Sequence, residues 1–352
     1  MNIDTAKRAL DKVIDKARVH LYKPIQIAEI LYRDRTTGDI ILSEIDTYRT
    51  ASRKWRDLIC INFLGRTSTS SARYQDDLFN DNAIPPSILT ILGAENKSKN
   101  GIVEAYIYRR FADRFSQMSS GLEYCINHSK EDFILRDFLD LFWKEPGLRR
   151  SIDKIYEIVV YSLFSALIEV MEVSIKVSID PDKIEILKDF QDFAEKVIQL
   201  SPERTTLNLR ARINRVGITN AADRGLDMWA NFGMAIQIKH LSLTEELAES
   251  IVASVSADRI VIVCKDTERK LILSLLNQIG WRSKIQSIVT DTDLITWYEK
   301  ALRGKFANKI GDRAMNKIAN EIRVEFPATD NIELSNFMMN RGYLALQDSY
   351  WR

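Results

Sequence analysis

A chain of 352 residues with 45% hydrophobic and 28% charged residues, 13 Gly and 7 Pro has the composition of a folded protein of one large domain or two ordinary ones, which excludes extended disorder and low complexity. Its formal net charge of +1 gives no overall drive towards nucleic acid or membrane, although an average of this kind can hide a local patch. Three cysteines, Cys60, Cys125 and Cys264, are far apart and odd in number, which excludes a disulfide framework. No pair of them has zinc-ligand spacing, and only His20, His128 and His240 are available to assist.

The first half reads as helical. "MNIDTAKRALDKVIDKAR" is a charged amphipathic helix without the apolar core of a signal peptide, so a soluble, cytoplasmic protein is expected. Apolar residues recur at three- and four-residue spacing over 5–33, 101–119, 131–143 and 150–173. "RTTGD" (35–39) and "NAIPPS" (82–87) are turn signals, and "GAENKSKNG" (93–101) reads as a polar loop between two helices. In "RKWRDLICINFLGRTSTSSAR", Arg53, Lys54, Arg56, Arg66 and Arg73 stand against Asp57 alone, beside hydroxyls of the kind that contact phosphates. Such a stretch is either a DNA-contacting surface or a solvated basic loop. The most apolar run, Ile155 to Val173, is interrupted by Glu157 and Glu169 and fits a buried helix better than a membrane span.

A break falls at "SIDPDK" (178–183), where Asp180 can cap a helix with Pro181 in its first turn. The helix "DKIEILKDFQDFAEKVIQL" follows and ends before "SPERTT". Beyond Arg204 the period falls to two. "TLNLRARINRVGI", "LDMWANFG" and "MAIQIKHLSL" read as three strands, with Phe232-Gly233 as the turn between the last two. "TEELAESIVASVSA" is a helix with Thr244 at its N-cap, "DRIVIVCKD" a buried strand, "TERKLILSLLNQIG" a helix, "KIQSIVTD" a strand and "LITWYEKALRG" a helix. This order specifies an α/β (α+β) fold: a mixed sheet flanked by helices, behind a predominantly helical N-terminal region. Residues 1–180 are expected to form the helical region, a candidate for DNA recognition or dimerisation, and 181–352 the sheet-bearing core with a C-terminal extension.

The hairpin "GLDMWANFGMAIQIKHLSL" carries Asp227, Gln237 and Lys239 where an apolar strand would exclude them. Gln237 and Lys239 are two apart and leave the same face, and the hairpin brings Asp227 towards them. His240 points the other way and reads as a packed or edge residue. A carboxylate, an amide oxygen and an ammonium at one end of a sheet suit metal-assisted phosphodiester hydrolysis. The carboxylate holds a hard Mg²⁺, and the lysine orients or deprotonates a water, or stabilises charge on the phosphate.

"GLDMWANFGMAIQIKH" resembles the PD-(D/E)xK nuclease signature in its QxK variant, with Gly225, Asp227, Gln237 and Lys239 matching a "GxD…QxK" arrangement. The resemblance implies that Asp227 is the metal-binding Asp and Lys239 the catalytic lysine, while Gln237 stands where Asp or Glu is usual. Gln offers a carbonyl oxygen but no charge, so a second carboxylate is expected nearby. Asp223, or Glu195 or Asp192 on the preceding helix, are the candidates, with Glu195 favoured.

Over its whole length the chain resembles type II restriction endonucleases of the HaeII type, most clearly in "KPIQIAEILYRDRTTGDI", "FLGRTSTSSARYQDDLF" and "ITNAADRGLDMWANFGMAIQIKHLSL". That resemblance implies Mg²⁺-dependent cleavage of double-stranded DNA within a short specific site, in a restriction-modification system with a cognate DNA methyltransferase as functional partner. A match in specificity as well implies the palindrome purine-GCGC-pyrimidine. A palindrome cut on both strands favours a two-fold homodimer. Reading G and C edges calls for Arg or Lys and for Asp or Glu, which the 53–73 segment with Gln75, Asp76 and Asp77 provides; Asn336, Asn340 and Arg341 are further possibilities. Two other readings stay open: a repair or modification-dependent nuclease of the same superfamily, and a non-catalytic DNA-binding protein on a degenerate nuclease fold.

Overall fold

The computed structural model describes residues 2–17, 20–65, 67–68, 72–144, 152–216, 226–239, 259–270, 273–274, 285–326 and 332–351. Arg66, Asp223, Gly225, His240 and the helix expected from Thr244 lie outside these, as does most of the helix expected over 267–280. The chain divides into two compact units, one of Met1–His128, Ile134–Ile155 and Ala319–Arg352, the other of Ser129–Phe133 and Tyr156–Ile318.

The first unit is helical: α1 (Ile3–Lys16), α2 (Tyr22–Thr36), α3 (Ala51–Leu64), α4 (Ala72–Phe79), α5 (Pro86–Ser98), α6 (Ile102–Asn127) and α7 (Leu135–Lys144). The expected helix over 5–33 is two helices. Pro24 has no N–H to donate and is tolerated only in a first turn, so a new helix starts at Tyr22, after Leu21 in the left-handed region (φ 46°). The expected loop at 93–101 is largely helix, because α5 runs to Ser98 and buries Leu89, Leu92 and Asn96. Asn96 Oδ1 accepts from the backbone N–H groups of Val103 and Glu104 and caps the start of α6.

Helix α2 is the axis of this unit, with Ile25, Ile27, Ala28, Ile30 and Leu31 all buried. Charged groups buried beside it are paired. Arg341 donates to both carboxylate oxygens of Glu29 at 2.6 and 3.0 Å and lies 3.7 Å from the ring centroid of Tyr32. Tyr108 also donates to Glu29, at 2.5 Å. Arg35 makes the same forked contact with Glu104, at 2.9 and 2.8 Å, and Tyr343 donates to Glu104 at 2.6 Å.

The second unit carries the strands, with α8 (Ile152–Val170) contributing most of its length. Helix α8 contains most of the apolar run, and no helix among the described residues is long and apolar enough to cross a membrane. Strand β1 (Ser174–Ser178), unforeseen in the sequence, pairs antiparallel with β2 (Thr206–Arg210). The strand expected over "TLNLRARINRVGI" therefore divides at Ala211-Arg212: β2 joins this ribbon and β3 (Ile213–Arg215) joins the main sheet. That sheet has the order β3-β4-β5-β6-β7, with β4 at Met228–Ala230, β5 at Met234–Lys239, β6 at Arg259–Cys264 and β7 at Ile285–Thr290. Pairing is antiparallel from β3 to β5 and parallel from β5 to β7, the mixed sheet that was expected.

Asp180 caps as expected, accepting from Asp182 N at 3.0 Å, but the helix beyond it is segmented. A 3₁₀ turn (Pro181–Lys183) leads into α9 (Ile184–Asp189), a short α10 (Gln191–Phe193) and a π-helical turn over Ala194–Ile198. Helix α11 (Asp291–Arg303) starts from a capping box between Thr290 and Asp293, and α12 (Ala307–Glu325) follows. In the first unit α13 (Ile332–Asn340) leads to Arg341 and to Trp351, which is buried.

Two consequences are measurable. All three thiols are buried and burial pushes each up to about 12, so none should react with a maleimide at about pH 8 until the protein is denatured, when all three should. Arg341→Ala leaves the Glu29 carboxylate buried without its cation and should cost about 3–5 kcal/mol in urea unfolding.

Candidate active site

The site starts from a turn. Gly233 has φ 88°, a conformation that a side chain disfavours, and its N–H bonds to Ala230 O at 3.1 Å. Asn231 fixes the other side: its Oδ1 accepts from Arg212 N at 2.8 Å and its Nδ2 donates to Arg210 O at 2.9 Å. Arg259 Nη2 donates to Phe232 O at 2.7 Å and ties the turn to the start of β6. These bonds set one register between β4 and β5, Met228 opposite Ile236 and Trp229 opposite Ala235.

Continued by one residue, that register sets Asp227 opposite Gln237. Gln237 Nε2 donates to Asp227 Oδ2 at 2.6 Å, and the backbone N–H of Ile238 donates to the same oxygen at 2.7 Å. Asp227 O in turn accepts from Val216 N at 2.9 Å, which holds this end of the sheet together. Asp227 is half-buried and Gln237 fully buried. The other amide atom, Gln237 Oε1, is buried with no hydrogen-bond partner among the described residues. A buried carbonyl oxygen left without a donor costs about 1–3 kcal/mol unless something electropositive meets it. This oxygen, beside a carboxylate, is a donor pair of the type hard cations take.

Lys239 ends β5 at the register position of Cys264, two residues beyond Gln237; its backbone is described and its side chain is not. Cys264 in turn pairs with Thr290, so the ends of β5, β6 and β7 lie side by side. Two acids at this carboxyl edge escaped the sequence reading. Asp266 accepts from Thr292 Oγ1 at 2.7 Å, and the Thr290 and Thr292 hydroxyls hold its carboxyl below the usual range. Asp291 takes the Tyr156 hydroxyl; burial pushes this carboxyl up, and burial beside Asp291 pushes the Tyr156 hydroxyl up. The signal lay in "CKD" and "TDTD", acids just past apolar strands at the end where parallel strands point.

The other expected site residues scatter. Glu195 sits on the π-helical turn and accepts from Gln191 at 2.7 Å, and Asp192 pairs with Lys196 at 2.7 Å; neither is joined to the Asp227–Gln237 pair. Asp223 lies outside the described residues. In the first unit Lys54 is exposed and Arg53 half-buried, while the Arg73 side chain is outside the described set. Arg56 is buried, contrary to the surface expected for it: its Nε donates to Asp57 at 2.8 Å and its Nη1 to Gln26 at 3.3 Å. Gln75, expected to read bases, is buried and accepts from Gln26 Nε2 at 2.8 Å. Asp76 pairs with Arg49, and Arg341 is committed to Glu29. The period of three to four places Arg56 on the inward face of α3 with Ser52, Ile59 and Phe63.

The HaeII restriction endonuclease family matches residues 6–343. The chain belongs to the HaeII restriction endonuclease family. Its members include the type II restriction enzyme HaeII of Haemophilus aegyptius, 65% identical over 342 residues, with 97% of each chain covered. The type II restriction enzyme NgoBI of Neisseria gonorrhoeae is 57% identical over 339 residues, 96% of each chain. No solved structure matches this one. As a member of the HaeII family the chain is a type II restriction endonuclease, a site-specific deoxyribonuclease.

If the turn sets the site, Gly233→Val should strain it by about 1–2 kcal/mol. Its activity should fall more than global unfolding explains, as seen by comparing specific activity with circular dichroism at a temperature where the variant stays folded.

Proposed function

We propose that this endonuclease makes Mg²⁺-dependent double-strand cuts within a short palindrome, using Asp227, Gln237 and Lys239 on a PD-(D/E)xK core of the QxK kind. The observation that carries this reading is the pair at the hairpin: a half-buried carboxylate clamped to a buried amide whose carbonyl oxygen has no donor among the described residues. Asp227 and Gln237 Oε1 would hold the metal, with Asp223, four residues before Asp227, the candidate for further negative charge. When bound, Mg²⁺ polarises the scissile phosphate and lowers the pKa of an attacking water.

The residues divide the remaining work. Gln237 Nε2 and Ile238 N fix Asp227 Oδ2 in place, so the carboxylate needs little reorganisation to hold its charge where it is used. Lys239 supplies the cation on that strand, orienting the water or balancing charge as the phosphate becomes pentavalent. Arg53, Lys54, Arg66 and Arg73 remain as candidate phosphate contacts; Arg56, buried, is dropped from them. By its likeness to HaeII, the target we assign is purine-GCGC-pyrimidine, with a homodimer presenting one site to each strand and a cognate DNA methyltransferase protecting the host sequence.

The test is digestion of a sequenced plasmid with Mg²⁺ or with EDTA. Discrete Mg²⁺-dependent fragments are expected, with ends mapping to one palindrome. Lys239→Ala should lower kcat at least about a hundredfold. Asp227→Asn should abolish cleavage and also remove any rise in Tm that Mg²⁺ gives the wild type. Fragments that persist in EDTA, or full activity in either variant, would overturn the assignment.

A further inference from the structure

The face of the sheet that carries Asp227 and Gln237 extends beyond them. Side chains alternate along a strand, so Asp227 and Trp229 leave β4 on one side while Met228 and Ala230 turn into the core. The register sets Trp229 between Asn214 of β3 and Ala235 of β5, and Arg212 continues the parity of Asn214. Trp229 is 45% exposed, more than any other described tryptophan. Arg212 is exposed and Asn214 half-buried. Asn231 holds the Arg212 backbone, but among the described residues none of these three side chains makes a hydrogen bond or an ion pair.

A tryptophan ordinarily buries most of its ring, so one left in solvent two residues from a candidate metal ligand marks an interaction surface. Charge identifies the occupant. Asp227 is the one acid on this face of β3, β4 and β5 among the described residues, and Arg212 and, by alternation, Lys239 are cations on it. With that acid assigned to the metal, what remains is cations, an amide and a flat ring. Such a surface suits DNA: cations and amides take phosphates, and an indole takes the apolar face of a sugar or base. Two residues along a strand span about 7 Å, the scale of one nucleotide step.

We propose that Trp229 is a DNA contact of the cleavage site: its ring packs against the nucleotide next to the scissile phosphate, and Asn214 and Arg212 take the backbone beyond it. The proposal rests on the assignment of Asp227 and Gln237 to the cleavage centre. Cations alone let a duplex slide. A ring seated against one nucleotide fixes which phosphate meets the metal.

The test is tryptophan fluorescence of the full chain, titrated with a duplex carrying the palindrome mapped in the plasmid digest. Ca²⁺, which takes the same kind of oxygen ligands, replaces Mg²⁺. Binding should quench the wild type. Trp229→Phe should lose most of that quenching while binding within about threefold of wild type. Trp229→Ala should bind about tenfold more weakly or worse, with kcat/KM falling chiefly through KM and circular dichroism unchanged. Arg212→Ala should lower the slope of log affinity against log salt by about one. Quenching as full in Trp229→Phe as in the wild type, or normal DNA affinity in Trp229→Ala, would overturn the contact. So would loss of self-association by Trp229→Ala in sedimentation velocity with DNA affinity intact, which would seat the ring on a second copy. Cleavage retained in Asp227→Asn beside quenching lost in Trp229→Phe would instead overturn the metal assignment and leave the ring on DNA.

Discussion

Everything at the candidate centre depends on one strand register. Strand side chains alternate between faces, so a slip of one residue between β4 and β5 would turn Gln237 away from Asp227. The protein fixes that register from outside the hairpin as well as within it. Gly233 allows the turn, Asn231 bonds it to Arg210 and Arg212, and Arg259 holds Phe232 from the next strand. Strand β5 can then be buried on both sides, Ala235, Ile236 and Ile238 included, and still carry a polar amide, because the residue opposite gives the amide N–H an ionic partner. Half of that amide is satisfied and half is left over, and the leftover oxygen gives the pair its chemical interest.

The helical unit solves a comparable problem by different means. Burying Glu29 and Glu104 near the axis of α2 is tolerable only because each meets a forked guanidinium and a tyrosine hydroxyl. Two of these partners, Arg341 and Tyr343, come from the last part of the chain. The tail is thereby held to helices more than two hundred residues earlier by directional bonds as well as by the apolar packing of Phe337, Tyr343 and Trp351. Such a network specifies where the tail docks more sharply than hydrophobic contact does, since a shifted tail would leave Glu29 without its guanidinium and Glu104 without a tyrosine hydroxyl.

Family membership and geometry carry different weight here. Identity of 65% across nearly the full length of a relative fixes what class of reaction the chain belongs to, without saying which atoms perform it. The hairpin supplies atoms, and the sheet edge where β5, β6 and β7 end side by side supplies the setting, with Asp266, Asp291 and Tyr156 close to the strand ends.

The sequence by itself determined the class of fold and the hairpin. Periodicity is a local property, so the helical first half, the alternation after Arg204 and the Phe232-Gly233 turn were all legible, and face alternation with the turn was enough to bring Asp227 towards Gln237. Charge in the helical unit was legible as composition but not as position. Arg56 and Gln75 looked like surface groups until α3 and α4 met Gln26 of α2, because whether a polar residue faces water or a buried partner depends on what lies across from it. Likewise the division of "TLNLRARINRVGI" between two sheets, the origin of β1 and the return of the tail to Glu29 follow from pairings between distant segments. Local propensity cannot choose among such pairings; only burial and hydrogen-bond satisfaction in the assembled structure decide them.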